Sequence, residues 1–137
     1  MKTLLIWILL LILKPSLQEG KKVAENECDF KQYRHLEIDH FPSDWIVKKV
    51  QPEYPKAAKD AKIEGIIQVK LLVDREGNVF KACVTQGHPL FREAAKEAAL
   101  GYKFKKNFGF KLSRMPSGFL YIQTWALFNF KFDEPKS

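Results

Sequence analysis

An α+β fold is predicted for this chain: a three-stranded sheet of antiparallel type, laid out as a split β-α-β unit, with two helices on one face. Three observations predict it. First, a β-rich run at 66–73 alternates Gln68 and Lys70 against Ile67, Val69 and Leu71, breaks at Asp74-Arg75-Glu76-Gly77-Asn78 and resumes at 79–84, the pattern of a half-buried hairpin. Second, two proline-led, alanine-rich segments at 55–62 and 89–103 read as helices. Third, a long stretch at 119–132 alternates in two residue sets and reads as a final strand.

The chain begins Met1-Lys2, followed by an unbroken apolar run at 4–13 that Lys14-Pro15 ends. The run is shorter than the about 20 residues a spanning helix needs. Residues 1–18 therefore read as a secretory signal peptide, with a short uncleaved anchor as the alternative. Cleavage would remove Lys2 and Lys14 and lower the net charge from +7 to about +5. Residues 19–44 are polar and mixed in charge, and read as an arm or linker. They carry Cys28, His35 and His40, whose spacings fit no standard zinc pattern, so these are taken as solvated residues and no metal is expected. The folded domain is placed at 45–132, with Trp45, Ile46 and Val47 docking on the core or starting a short strand, and 133–137 as a tail.

Within the domain, Tyr54 is biased to an extended conformation by Pro55, which can occupy the first turn of a short helix at 56–62. Ala57, Ala58 and Ala61 give that helix a small-residue face. Gly77 supplies the positive φ that a type I turn with a glycine bulge needs. Gln86-Gly87-His88-Pro89 turns into the second helix, whose apolar face is Phe91, Ala94, Ala95, Ala98 and Tyr102. A basic, aromatic connector at 103–111 reads mainly as a loop with aromatics tucked under it. In the last strand Tyr121, Gln123, Trp125, Leu127 and Asn129 share one face, and Leu120, Ile122, Thr124, Ala126, Phe128 and Phe130 the other. The last strand is expected beside the first hairpin strand, antiparallel to it and at an edge of the sheet, with the second face more open. A free edge invites an extended peptide to add as a further strand.

Composition bounds the function. With 46% hydrophobic and 13% aromatic residues the chain is of globular type. Its basic balance suits anionic surfaces or acidic peptides, but no basic stripe with interleaved aromatics marks it as a nucleic-acid binder. No nucleophile sits in a recognisable context, the carboxylates are scattered, and His88 reads as a turn or cap residue; neither catalysis nor a cofactor is expected. The two cysteines, Cys28 and Cys83, leave two readings open. A bridge would pin the arm to the sheet and add roughly 4 kcal/mol by loop-closure entropy. Otherwise Cys83 is a small buried residue and Cys28 a free thiol.

The order and spacing of Gln51-Pro52-Glu53-Tyr54-Pro55, the helix at 56–62, Ile63-Glu64-Gly65 before the β run, the turn around Gly77, Gly87-His88-Pro89-Leu90, Ala94-Ala95 with Ala98-Ala99, and Tyr102-Lys103-Phe104 resemble the C-terminal domain of TonB in its stand-alone form, over about 50–132. The resemblance implies a periplasmic, non-catalytic domain. It would grip the TonB box of a TonB-dependent outer-membrane receptor by strand addition to the last strand, coupling proton-motive force to uptake; a segment of another envelope protein is the alternative partner. Carried over by position, the peptide-binding residues would be Gln51, Pro52 and Tyr54, with Tyr121, Gln123, Trp125, Leu127 and Asn129 along the strand. Two departures bear on energy transduction. The apolar run is short where transducing members have a full membrane helix that meets the ExbB–ExbD motor, and the arm holds one proline, Pro42, so it is no rigid rod. Fully extended, the arm spans at most ~90 Å. Alternatives of another class are a protein that pairs the same edge with its own copy, as a homodimer, and a binder of envelope surfaces through Lys103, Lys105, Lys106 and Lys111.

Overall fold

The computed structural model describes residues 28–109 and 117–132. The expected leader at 1–18, the first part of the arm, residues 110–116 and the tail at 133–137 lie outside the described residues. In chain order the elements are β1 (His35–Glu37), β2 (Ile46–Lys48), α1 (Lys56–Asp60), β3 (Gly65–Asp74), β4 (Val79–Gln86), α2 (Arg92–Leu100), β5 (Lys103–Phe104) and β6 (Tyr121–Phe130).

β3 is central because period-two alternation gives it a fully apolar face, Ile67, Val69, Leu71 and Val73, each at most 1% exposed. It pairs antiparallel with β4 on one side and with β6 on the other, Ile67 opposite Phe128 and Val73 opposite Ile122. Ile122, Ala126, Phe128 and Phe130 extend the same buried face, so the alternation read from the sequence sorts β6 correctly. Ala95, Ala98 and Ala99 of α2 and Ala58 of α1 close over it, their small side chains letting the helices sit near the sheet. Ala99 was not among the expected core positions. Ala57 and Ala61 are exposed, since α1 is barely more than one turn and can bury only one of its alanines.

The β3–β4 turn is built by Asp74 and Gly77. The Gly77 N–H donates to the Asp74 carbonyl at 3.0 Å, and Asp74 Oδ1 accepts from the N–H groups of Glu76 (3.0 Å) and Asn78 (2.9 Å). Gly77 has φ +84°, and a Cβ there would collide with the Phe104 carbonyl; the Phe104 N–H in turn donates to the Gly77 carbonyl at 2.8 Å. The turn thereby holds β5, which pairs antiparallel with β2, Ile46 opposite Phe104. The basic connector tucks Phe104 and Phe108 inside.

The sheet differs from expectation in one strand. It has four strands in the order β1-β6-β3-β4, with β2-β5 as a separate two-stranded ribbon. The added strand comes from the arm. β1 runs parallel to β6, His35 opposite Tyr121, Leu36 opposite Ile122 and Glu37 opposite Gln123. β6 is therefore not an edge along its whole length. The second face is not open throughout either. Phe30, 1% exposed, packs with Leu72 and Cys83 there, and Cys28 is bonded to Cys83, their Cα atoms 5.3 Å apart. The physical reason is that the arm's only alternation, Leu36 and Ile38 across Glu37, is too short to read as a strand, and Phe30 and Phe41 stand apart from it among charges, yet each finds an apolar site on the finished sheet.

Candidate functional site

The outer border of β6 is the candidate site, and its backbone divides in two. The N–H groups of Leu120 (3.0 Å) and Tyr121 (3.3 Å) donate to the Arg34 carbonyl, and the Ile38 N–H donates to the Gln123 carbonyl at 2.9 Å. Backbone polar groups of a strand alternate in direction, so the outward-pointing set of β6 is Tyr121, Gln123, Trp125, Leu127 and Asn129. The arm takes the first two. Among the described residues nothing pairs with the outward N–H and C=O groups of Trp125, Leu127 and Asn129.

Side chains follow the same division. Tyr121 is half-buried between Tyr33 and Phe80, ring centroids 5.5 and 5.4 Å away. Gln123 is 6% exposed and its Nε2 donates to Glu37 Oε1 at 3.0 Å. Past that point cover is lost: Trp125 is half-buried under the Lys70 ammonium, 5.5 Å from its ring, Leu127 is 67% exposed and Asn129 is exposed. Lys70 also donates to the Cys28 carbonyl at 3.3 Å and lies over the Phe30 ring, so it marks where the arm's cover stops.

Beside the bare half lies a cavity of about 170 Å³ lined by Phe41, Ile46, Tyr102, Phe104, Trp125 and Leu127. Of these the sequence reading reached only Trp125 and Leu127 as site residues. Phe41 and Ile46 could have been found as apolar islands at the end of a charged arm. Burial raises the Tyr102 phenol above its ordinary pKa, so it stays a neutral wall of this cavity at physiological pH.

Gln51, Pro52 and Tyr54 lie elsewhere. With Leu90, Ala94 and Ala98 they line a groove of about 420 Å³ against α2, where Glu53, Glu93 and Glu97 outnumber Lys56. Tyr54 is mainly a packing residue: its ring meets Phe91 (5.7 Å), Phe130 (5.6 Å) and Phe132 (5.2 Å), and its hydroxyl donates to the Ile63 carbonyl. Desolvation and, secondly, the Glu64 carboxylate raise its pKa, which keeps that donor protonated. Tyr54 thus reaches β6 through Phe130, while Gln51 and Pro52 belong to the groove. His88 caps the turn before α2, its Nδ1 accepting from the Leu90 N–H at 3.2 Å. Among the described residues no group of three or more His, Cys, Asp or Glu side chains could hold a metal ion.

Residues 50–109 match the family described as Gram-negative bacterial TonB protein C-terminal. No curated protein matches the chain. The chain is similar in fold to the solution NMR structure of the Pseudomonas aeruginosa TonB CTD, with a TM-score of 0.53 and 21% identity over 74% of this chain and 97% of that one. The TonB C-terminal likeness read from the sequence therefore stands on a family match over 50–109 and, separately, on the fold.

Proposed function

We propose that this chain is an exported, non-catalytic envelope module. It takes up an extended peptide segment, from a TonB-dependent outer-membrane receptor, as an added strand on β6 at Trp125, Leu127 and Asn129. One observation carries the reading: the outward backbone groups of these three residues have no partner among the described residues, while the same border from Tyr121 to Gln123 is taken by β1. Main-chain hydrogen bonds would supply affinity, and the cavity next to Trp125 and Leu127 would receive a side chain of the visitor and supply selectivity. The family match supports the partner class. Tension from a motor such as ExbB–ExbD enters only if the N-terminus stays in the membrane. The groove at Gln51, Pro52 and Tyr54 would contact the flank of the same segment.

Photo-crosslinking residues placed singly at 121, 123, 125, 127 and 129 in the native envelope test this. Capture of one receptor segment from 125, 127 and 129 but not from 121 and 123 is the expected result. Capture from none of the five, or from all equally, would remove the reading.

A second reading has its own observation. Ile66 (59% exposed) and Leu127 (67%) lie on the same face of neighbouring strands, a small apolar patch beside the bare border that a second copy could cover. Sedimentation velocity over a range of concentrations separates the two: a monomer throughout removes self-pairing.

A further inference from the structure

We infer that the arm is a resident strand that occupies half of the docking border and that the Cys28–Cys83 bridge latches it there, so that a dithiol reductant lengthens the border open to a partner. The inference rests on the strand-addition reading above and adds its regulation.

The arm is a strap clamped at both ends. At its C-terminal end Phe41 packs on Trp45 (5.5 Å) and Phe104 (4.7 Å), the Lys105 N–H donates to the Trp45 carbonyl at 2.8 Å, and β2 pairs with β5. At its N-terminal end it is held by the bridge to β4 and by Phe30 against Leu72. Between the clamps, β1 is only three residues long. A parallel ladder of that length is weak by itself. It survives because both ends are fixed, which keeps the arm's local concentration at the border high. Opening the bridge leaves the N-terminal end held by non-covalent contacts alone, chiefly Phe30 on Leu72, and the strap can then peel from Tyr121 and Gln123 while the β2–β5 clamp holds.

The chemistry balances with a dithiol. One of its thiolates attacks the sulfur of the more exposed cysteine: Cys28 is a half-buried residue, whereas Cys83 is 5% exposed. The Cys83 thiolate leaves and takes a proton from water. The second thiol of the reductant then resolves the mixed disulfide and releases Cys28. Two electrons and two protons pass to the protein, and the reductant departs as its own disulfide. The outward set available to a visitor grows from Trp125, Leu127 and Asn129 to include Gln123 and Tyr121.

Amide hydrogen exchange on the full chain, bridged and after reduction by dithiothreitol, tests the latch without any partner. The amides of Ile38 and Tyr121, which bond across the arm–β6 border, should exchange about 10-fold faster or more after reduction. The Phe104 amide, bonded to Gly77, and the amides of Val69 and Leu71 in β3 should not change. The Leu36→Asp variant with the bridge intact should release the same two amides without touching either sulfur. Unchanged exchange at Ile38 and Tyr121 in the reduced, folded chain overturns the inference. So does loss of protection that spreads to Val69 and Leu71, because the bridge would then hold the fold and not the arm. Crosslinking from position 125 in the bridged chain tests strand addition separately, so a failed latch and a failed docking site give different results.

Discussion

The two halves of β6 have the same alternating pattern and the same neighbour, β3, yet different surroundings. From Tyr121 to Gln123 the outer border carries β1 and the second face carries Phe30 and Tyr33. From Trp125 to Asn129 the border is bare among the described residues and Leu127 stands in solvent. The difference teaches that edge status is not a property of a strand. It is decided by where a distant, weakly patterned segment stops, here between Ile38 and Lys70's position over Trp125.

The largest way to break the contrast is to remove the bridge. Cys28→Ser with Cys83→Ser should cost about 4 kcal/mol in denaturant unfolding, from the loop-closure entropy of a 55-residue separation. Phe30→Ala removes the arm's buried anchor on the second face and should cost about 3 kcal/mol, read by the same measurement. Both changes should leave the environment of Leu127 unaltered in side-chain NMR.

Thr124 lies at the junction of the two halves, 1% exposed, and its Oγ1 has no hydrogen-bond partner among the described residues. Thr124→Val removes an unsatisfied buried oxygen and should raise stability by about 1 kcal/mol. On the bare half, Leu127→Lys should shift stability by less than about 0.5 kcal/mol while abolishing crosslinking of a partner from position 125. A large loss of stability there would mean that Leu127 is covered by the chain itself.

High pH sharpens the comparison from the other side. Tyr102 packs on Phe128 and Tyr54 on Phe130, both on the bare half of β6. Both phenols are raised, Tyr102 by burial and Tyr54 by desolvation and then Glu64. The folded state therefore keeps these protons to higher pH than the unfolded chain does. The associated stability is present below the ordinary tyrosine value near 10 and is lost as pH rises through the folded values. Tyr102→Phe should flatten this alkaline slope in a pH series of unfolding curves, and exchange should rise first at residues of the bare half.

Much of the fold was legible because it is written in local periods. Ile67, Val69, Leu71 and Val73 declare the central strand, Gly77 declares the turn, and the even residues from Ile122 to Phe130 declare which face of β6 is buried. The TonB-like order of Gln51-Pro52-Glu53-Tyr54-Pro55, Gly77 and the alanines of α2 was equally visible. The candidate site was legible only in part. Trp125, Leu127 and Asn129 could be placed on a strand with no structure at hand. That Tyr121 and Gln123 have their border taken, that Tyr54 spends its ring on Phe91, Phe130 and Phe132, and that Phe41 and Ile46 wall a cavity could not.

By itself, then, the amino-acid order determined β3, β4, β6, the two helices and most of their inward faces, because those depend on side-chain spacing within a few residues. Tertiary structure alone decided which part of the closing strand is unpaired among the described residues. That outcome depends on a three-residue pairing between His35–Glu37 and residues 86 positions later in the chain, made stable by a crosslink and a few scattered apolar contacts. Such a pairing has a single alternation of its own, Leu36 and Ile38, and gains its free energy only after the rest of the sheet has formed.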